Sequence, residues 1–198
     1  PGNGSLAFKR ALAARSAVHT LDLMYYLWHD DNTGRLLMRE VVRAADRGVK
    51  VRLLLDDINP RSTDATYLAL DGHPNIQLRL FNATGMRNSR VLRMLELVAR
   101  VFAMTRRMHN KAWIVDGKAA IVGGRNIGDA YFDAAETNFR DLDLLLLGPA
   151  AAQTSAIFER FWTCGVATPI RRLNRAKAKR LAPFLVPIDG EASSRMLE

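Results

Sequence analysis

The stretch from Thr20 to Asp57 constrains this chain most. "TLDLMYYLWH" (Thr20–His29) has strand character, with its aromatic residues bounded by a polar run. The polar run "DDNTG" follows, with turn chemistry and Thr33 as a helix cap. "GRLLMREVVRAADRG" then places Leu36, Leu37, Val41 and Ala44 on one helical face, and Gly48 stops it. "VKVRLLLDD" (Val49–Asp57) is a buried-type strand ending in two carboxylates. Strand, helix and strand with short joints form a parallel crossover unit. The expected architecture is therefore α/β: a mixed, largely parallel sheet with helices on both faces.

The remaining segments fit that frame. Leu6–Ser16 is Ala-rich and reads as a helix. Asn59–Asp64 reads as a loop, Thr66–Leu70 as a short helix, and Ile76–Asn82 as an alternating strand. Met86–Arg107 is a long amphipathic pattern, with Val91, Leu95, Val98 and Phe102 on one stripe and an Arg-rich edge. It suits a core-facing helix or a segment that touches lipid. "KAWIVDGKAAIVGG" is two apolar runs around Asp116-Gly117, a strong hairpin signal. "IGDAYFD" reads as a short helix, Asp141–Gly148 as a strand, and Pro149–Cys164 as a helix with proline in its first turn.

The hairpin carries the chemistry. On a strand, residues two apart share a face, so His109 and Lys111 project together. An ammonium beside an imidazole suits a phosphate: the lysine supplies charge, and the histidine can attack or shuttle a proton. The returning strand ends at Gly123-Gly124, where an anion can approach the backbone N–H groups. Asn126 adds an amide donor at the same end, and the following helix can aim its N-terminus there.

Composition agrees with an anionic partner. The net charge is +9 and the pI about 10.3, which suits nucleic acid, a phosphate-bearing substrate or an acidic membrane. The single cysteine, Cys164, excludes an internal disulfide and a thiolate metal cluster. No apolar run reaches the roughly 18 residues of a membrane span. The opening Pro1-Gly2-Asn3-Gly4 has no signal-peptide pattern and reads as a processed or cut end.

His109, Lys111, Asp116, Gly123, Gly124 and Asn126 together read H-x-K-x4-D-x6-G-G-x-N. This resembles the signature of the phospholipase D superfamily, usually written with Ser at the position of Gly124. The segment from Tyr25 to Asp57 and the motif flanks resemble the N-terminal half of bacterial cardiolipin synthases of the Gly-Gly branch, over roughly residues 5–165. The resemblance implies a phospholipase D-like half-domain working by double displacement at phosphorus. His109 would be the nucleophile, giving a phosphohistidine. Lys111, Asn126 and the Gly123-Gly124 backbone would hold the phosphate, and Asp116 would be the motif carboxylate. Asp116 also suits the tight turn of a hairpin without any catalytic part. A downstream carboxylate, Asp141 or Asp143 with Asp141 preferred, would orient the histidine. No metal or cofactor is implied, because cationic side chains do the electrostatic work.

A second H-x-K is absent: His19, His29 and His73 lack a Lys two residues on. The chain is therefore expected to supply half a site, completed by a missing C-terminal half or by a second identical chain. Residues 1–165 would form the motif-bearing domain, and 166–198 a basic linker towards that half. The face that meets it should be apolar and exposed. Three functions follow from the resemblance. The first is phosphatidyl transfer from phosphatidylglycerol to make cardiolipin, by a bacterial protein peripheral to the inner membrane. The second is a homodimeric phosphodiesterase or nuclease, with nucleic acid the less favoured partner. The third is an inactive module that binds phosphate or lipid.

Overall fold

The computed structural model of the chain describes residues 4–58, 64–83 and 107–173. The expected loop at 59–63, nearly all of the amphipathic segment and the tail from 174 lie outside the described residues. Helix α1 (Gly4–Ser16) leads into β1 (Thr20–Tyr25), α2 (Asn32–Asp46) and β2 (Lys50–Asp56). Then come α3 (Asp64–Asp71), β3 (Ile76–Phe81), β4 (Ala112–Val115) and β5 (Ala119–Gly123). A three-residue 3-10 turn (Asp129–Tyr131) precedes β6 (Asp143–Leu147), α4 (Pro149–Thr163), β7 (Ala167–Pro169) and the single turn α5 (Ile170–Leu173).

The seven strands form one sheet in the order β6-β5-β4-β1-β2-β3-β7. Only β1–β2 and β2–β3 pair in parallel; β1–β4, β4–β5, β5–β6 and β3–β7 are antiparallel. The sheet is thus mixed, and the expectation of a largely parallel one is corrected. Parallel neighbours need a helical crossover, and α2 and α3 supply one each. The hairpin at Asp116-Gly117 turns directly, and the link from β5 to β6 holds only the short 3-10 turn, so both return antiparallel. β7 pairs with β3 at the other edge of the sheet.

The central strands are buried on both faces. Leu21, Leu23 and Tyr25 pack under α1 and α2, where Ala7, Ala11, Leu37, Val41 and Ala44 meet them. Met24, Leu54, Ile114 and Ala120 pack under α4 through Phe158 and Trp162. The spacing of Leu37, Val41, Ala44 and Ala45 fixes the buried side of α2. Its cap is Asp31 rather than the expected Thr33: Asp31 Oδ1 accepts from Gly34 N–H at 2.9 Å. Thr33 instead donates its backbone N–H and its hydroxyl to Asp129 Oδ1, both at 2.7 Å. Position 34 must be glycine, since a Cβ there would overlap the His29 carbonyl.

The edge strand β6 exposes Leu144, Leu145 and Leu147, and Leu142 just before it is 73% exposed. A cleft of about 350 Å³ lies between α1 and β4–β6, lined by Leu6, Leu12, Trp113, Ile121 and Leu145 among others. Among the described residues no helix is long and apolar enough to cross a membrane.

Candidate functional site

Strand directions bring the motif to one end of the sheet. β1, β2 and β3 all finish there, at Tyr25, Asp56 and Phe81. β4 begins there, since Ala112 pairs with Met24, and β5 ends there, since Val122 pairs with Ala112. Ligands of α/β sheets collect at the carboxyl ends of parallel strands, and His109 lies at that end.

His109 and Lys111 precede β4 rather than lying on it. Their side chains still meet: Lys111 Nζ lies 3.0 Å from His109 Nδ1 and 2.7 Å from the His109 carbonyl oxygen. An ammonium can only donate, so Nδ1 accepts, and the proton of a neutral ring lies on Nε2. Tyr26, just past β1, packs under both groups. Its ring centroid is 4.9 Å from that of His109 and 5.3 Å from Lys111 Nζ, a geometry that favours the cation. Lys111 is buried and His109 exposed. Burial lowers the Lys111 pKa, with the nearby Asp141 carboxylate opposing that shift.

The Gly-Gly-x-Asn segment runs beside the extension of β1. Ile127 N–H donates to the Leu27 carbonyl at 3.2 Å, and His29 N–H to the Ile127 carbonyl at 2.9 Å. The Asn126 side chain is engaged within the protein: Oδ1 accepts from Leu27 N–H at 3.1 Å, and Nδ2 donates to the Tyr131 hydroxyl at 2.9 Å. Tyr131 packs in turn on Phe139, with centroids 5.0 Å apart. The anticipated helix after this segment is only the 3-10 turn.

The two candidate carboxylates part ways. Asp141 is exposed and folds over Gly124, where a Cβ would overlap its Oδ1. Asp143 folds over Gly123 in the same manner, but its side chain is buried and ion-paired. Its Oδ2 lies 3.0 Å from Arg10 Nη2 and 3.1 Å from Arg125 Nε. Arg125 also donates to the carbonyls of Tyr131 and Asp141. Asp143 therefore ties α1 and the Gly-Gly loop to the edge strand. The Gly-Gly pair leaves room for both folded carboxylates, and Gly124 N–H donates to the Leu142 carbonyl at 3.3 Å.

Asp116 stands beyond the opposite end of β4 from His109, with the whole of that strand between them. With φ of 51°, it accepts from the N–H groups of Val18, His19 and Thr20 at 3.1, 2.7 and 2.7 Å. On this geometry the Asp116 carboxylate fastens the link between α1 and β1. Burial alone would raise its pKa, but the three N–H groups win and lower it.

Tyr26, Tyr131, Arg10 and Arg125 were not singled out from sequence. The Arg in "GGRN" lies between two motif residues, which was the available signal. Nothing local marks Tyr26, because its place depends on the register of β1 against β4. Among the described residues no cluster of three or more His, Cys, Asp and Glu is placed to hold a metal ion.

Residues 12–162 match the family described as "Cardiolipin synthase, PLD-like domain". Cardiolipin synthase C of Escherichia coli is 47% identical over 161 residues, covering 81% of this chain and 33% of that protein. Cardiolipin synthase A of Pseudomonas fluorescens is 29% identical over 174 residues, covering 85% and 34%. The chain thus spans about a third of the length of these relatives. The solved NucT of Helicobacter pylori shares the fold, with a TM-score of 0.58 at 18% identity over 84% of this chain and 92% of that one. Given the match over residues 12–162, the chain belongs to the cardiolipin synthase, phospholipase D-like domain family.

Proposed function

We propose that this chain supplies one half of a phosphatidyltransferase site, acting on an anionic phospholipid at a bacterial membrane surface. The observation that carries the reading is the Lys111 ammonium held 3.0 Å from the His109 imidazole at the carboxyl end of the parallel strands. Family membership and relatives named cardiolipin synthase support it.

In this reading the phosphate of phosphatidylglycerol draws Lys111 Nζ onto a non-bridging oxygen. That releases His109 Nδ1, which can then carry the ring proton towards a carboxylate, with Asp141 the candidate. Nε2 becomes free to attack. The N–P bond forms as the P–O bond to the glycerol leaving group breaks, and a second acid protonates that alcohol. An incoming lipid alcohol loses its proton to the same group and displaces the imidazole. The second acid is a histidine from another motif-bearing half. Asn126 supports the phosphate from the other side. Asn126 Nδ2 keeps one N–H for this after its bond to Tyr131. The exposed leucines of β6 suit contact with that half.

The test is a phosphatidylglycerol turnover assay on this chain with and without an added second half, reading cardiolipin and phosphatidic acid. Cardiolipin made only with the added half, and lost by at least about 10³-fold in His109→Ala, is the expected result. The net charge of +9 equally suits a nucleic acid backbone. A DNA-cleavage arm, positive where lipid turnover is nil, would replace phosphatidyl transfer with a nuclease activity of paired chains. No activity in either arm would leave a binding module.

A further inference from the structure

Asp56 closes β2 at the site end of the sheet and is completely buried. Its two oxygens grip successive residues of the segment that carries the imidazole. Arg107 Nη1 reaches Oδ1 at 3.0 Å, and Met108 N–H donates to Oδ2 at 2.9 Å. His109 is the next residue. The segment from Arg107 to Lys111 lies outside the strands, so side-chain acceptors do much of the work of fixing its path.

A carboxylate is a costly choice here. Met108 is buried in the apolar cluster of Met24, Leu54, Ala112 and Ile114, where an aliphatic side chain would need no compensating charge. Desolvation raises the Asp56 pKa. The Met108 N–H and Arg107 oppose that shift, and neighbouring Asp57 adds to it. What a carboxylate brings in return is direction, with two acceptors in one plane holding a backbone amide and a guanidinium together.

We infer that Asp56 is a positioning residue for His109, holding residues 107 and 108 so that the imidazole rests against Lys111 and Tyr26. Its effect on turnover rests on the nucleophilic role proposed above; its effect on the ring does not.

The test uses the whole chain with labelled histidines, reading the His109 ring resonances and the exchange of the Met108 amide. In Asp56→Ala, the Met108 amide should exchange on the order of tenfold faster or more, and the His109 ring signals should move. The rings of His19 and His73, at the opposite end of the sheet, should not. Asp56→Asn, whose amide oxygen can still accept from Met108, should restore most of the protection and most of the His109 shift. Unchanged His109 signals in a folded Asp56→Ala chain would overturn the inference. If the alanine variant fails to fold, the wild-type chain decides. Met108 exchange as slow as that of the β4 amides upholds the anchor, and exchange at the rate of exposed loop amides refutes it. A wild-type chain inactive even with a second half would sink the proposed function while leaving these readings intact.

Discussion

Gly124 and Asp141 are the residues whose relation the structure changes most. The family signature usually has Ser where this chain has Gly124, and the Asp141 carboxylate occupies the space a side chain would need. Gly124→Ser should therefore displace Asp141 and remove the negative charge that opposes the fall in the Lys111 pKa. The expected outcome is a still lower Lys111 pKa, read by titrating its Nζ-attached carbon by NMR; an unchanged midpoint would show that Asp141 had not moved. Asp116 makes an opposite kind of prediction. Asp116→Ala should lose about 1–2 kcal/mol in chemical denaturation through its three N–H partners, while phosphate binding at the remote His109 end is unaltered. The pKa of Asp116 is lower in the folded chain than in the unfolded one. Its contribution is thus fully present above the unfolded carboxylate value and lost as pH falls through the folded one. Asp116→Asn should accordingly flatten the acid limb of the stability profile.

The hairpin β4–β5 and the crossover β1-α2-β2 were legible as elements because their signals are local: Asp116-Gly117 at a turn, and an apolar helical face between two apolar runs. His109 and Lys111 were legible for the same reason. β7 was not: it is three residues long and earns its place only by pairing with β3. The parallel fraction of the sheet was overestimated because crossover helices announce themselves in sequence, whereas the return of β6 depends on the path of a long irregular link. The role of Asp143 was hidden likewise, since Arg10 lies 133 residues away in sequence. That contact yields a prediction for the β6 edge. Asp143→Ala strands two buried guanidinium groups and should cost about 3 kcal/mol or more. Arg10→Leu with Asp143→Asn should recover part of that loss. A double-variant loss equal to the sum of the two single-variant losses would show that the pair is not coupled.

The molecule as a whole presents a site at one sheet end and an apolar edge beside it. Phe139 and Leu142 lead from the Gly-Gly loop into β6, where Leu144, Leu145 and Leu147 are open to solvent. Among the described residues β6 is an edge strand, and an apolar edge strand is a template for another chain. Sedimentation should find association of this chain with itself or with a second half, weakened by Leu145→Lys with Leu147→Lys. If those changes leave association intact, the contact lies elsewhere. The central claim is that His109 becomes covalently linked to phosphorus. It is tested most directly by mass spectrometry of the chain quenched at alkaline pH during turnover of a short-chain phosphatidylglycerol with the second half present. The account predicts a phosphatidyl adduct on the peptide containing His109, absent from His109→Ala. An active mixture that never carries the adduct on His109, or that carries it only on the other half, would contradict it.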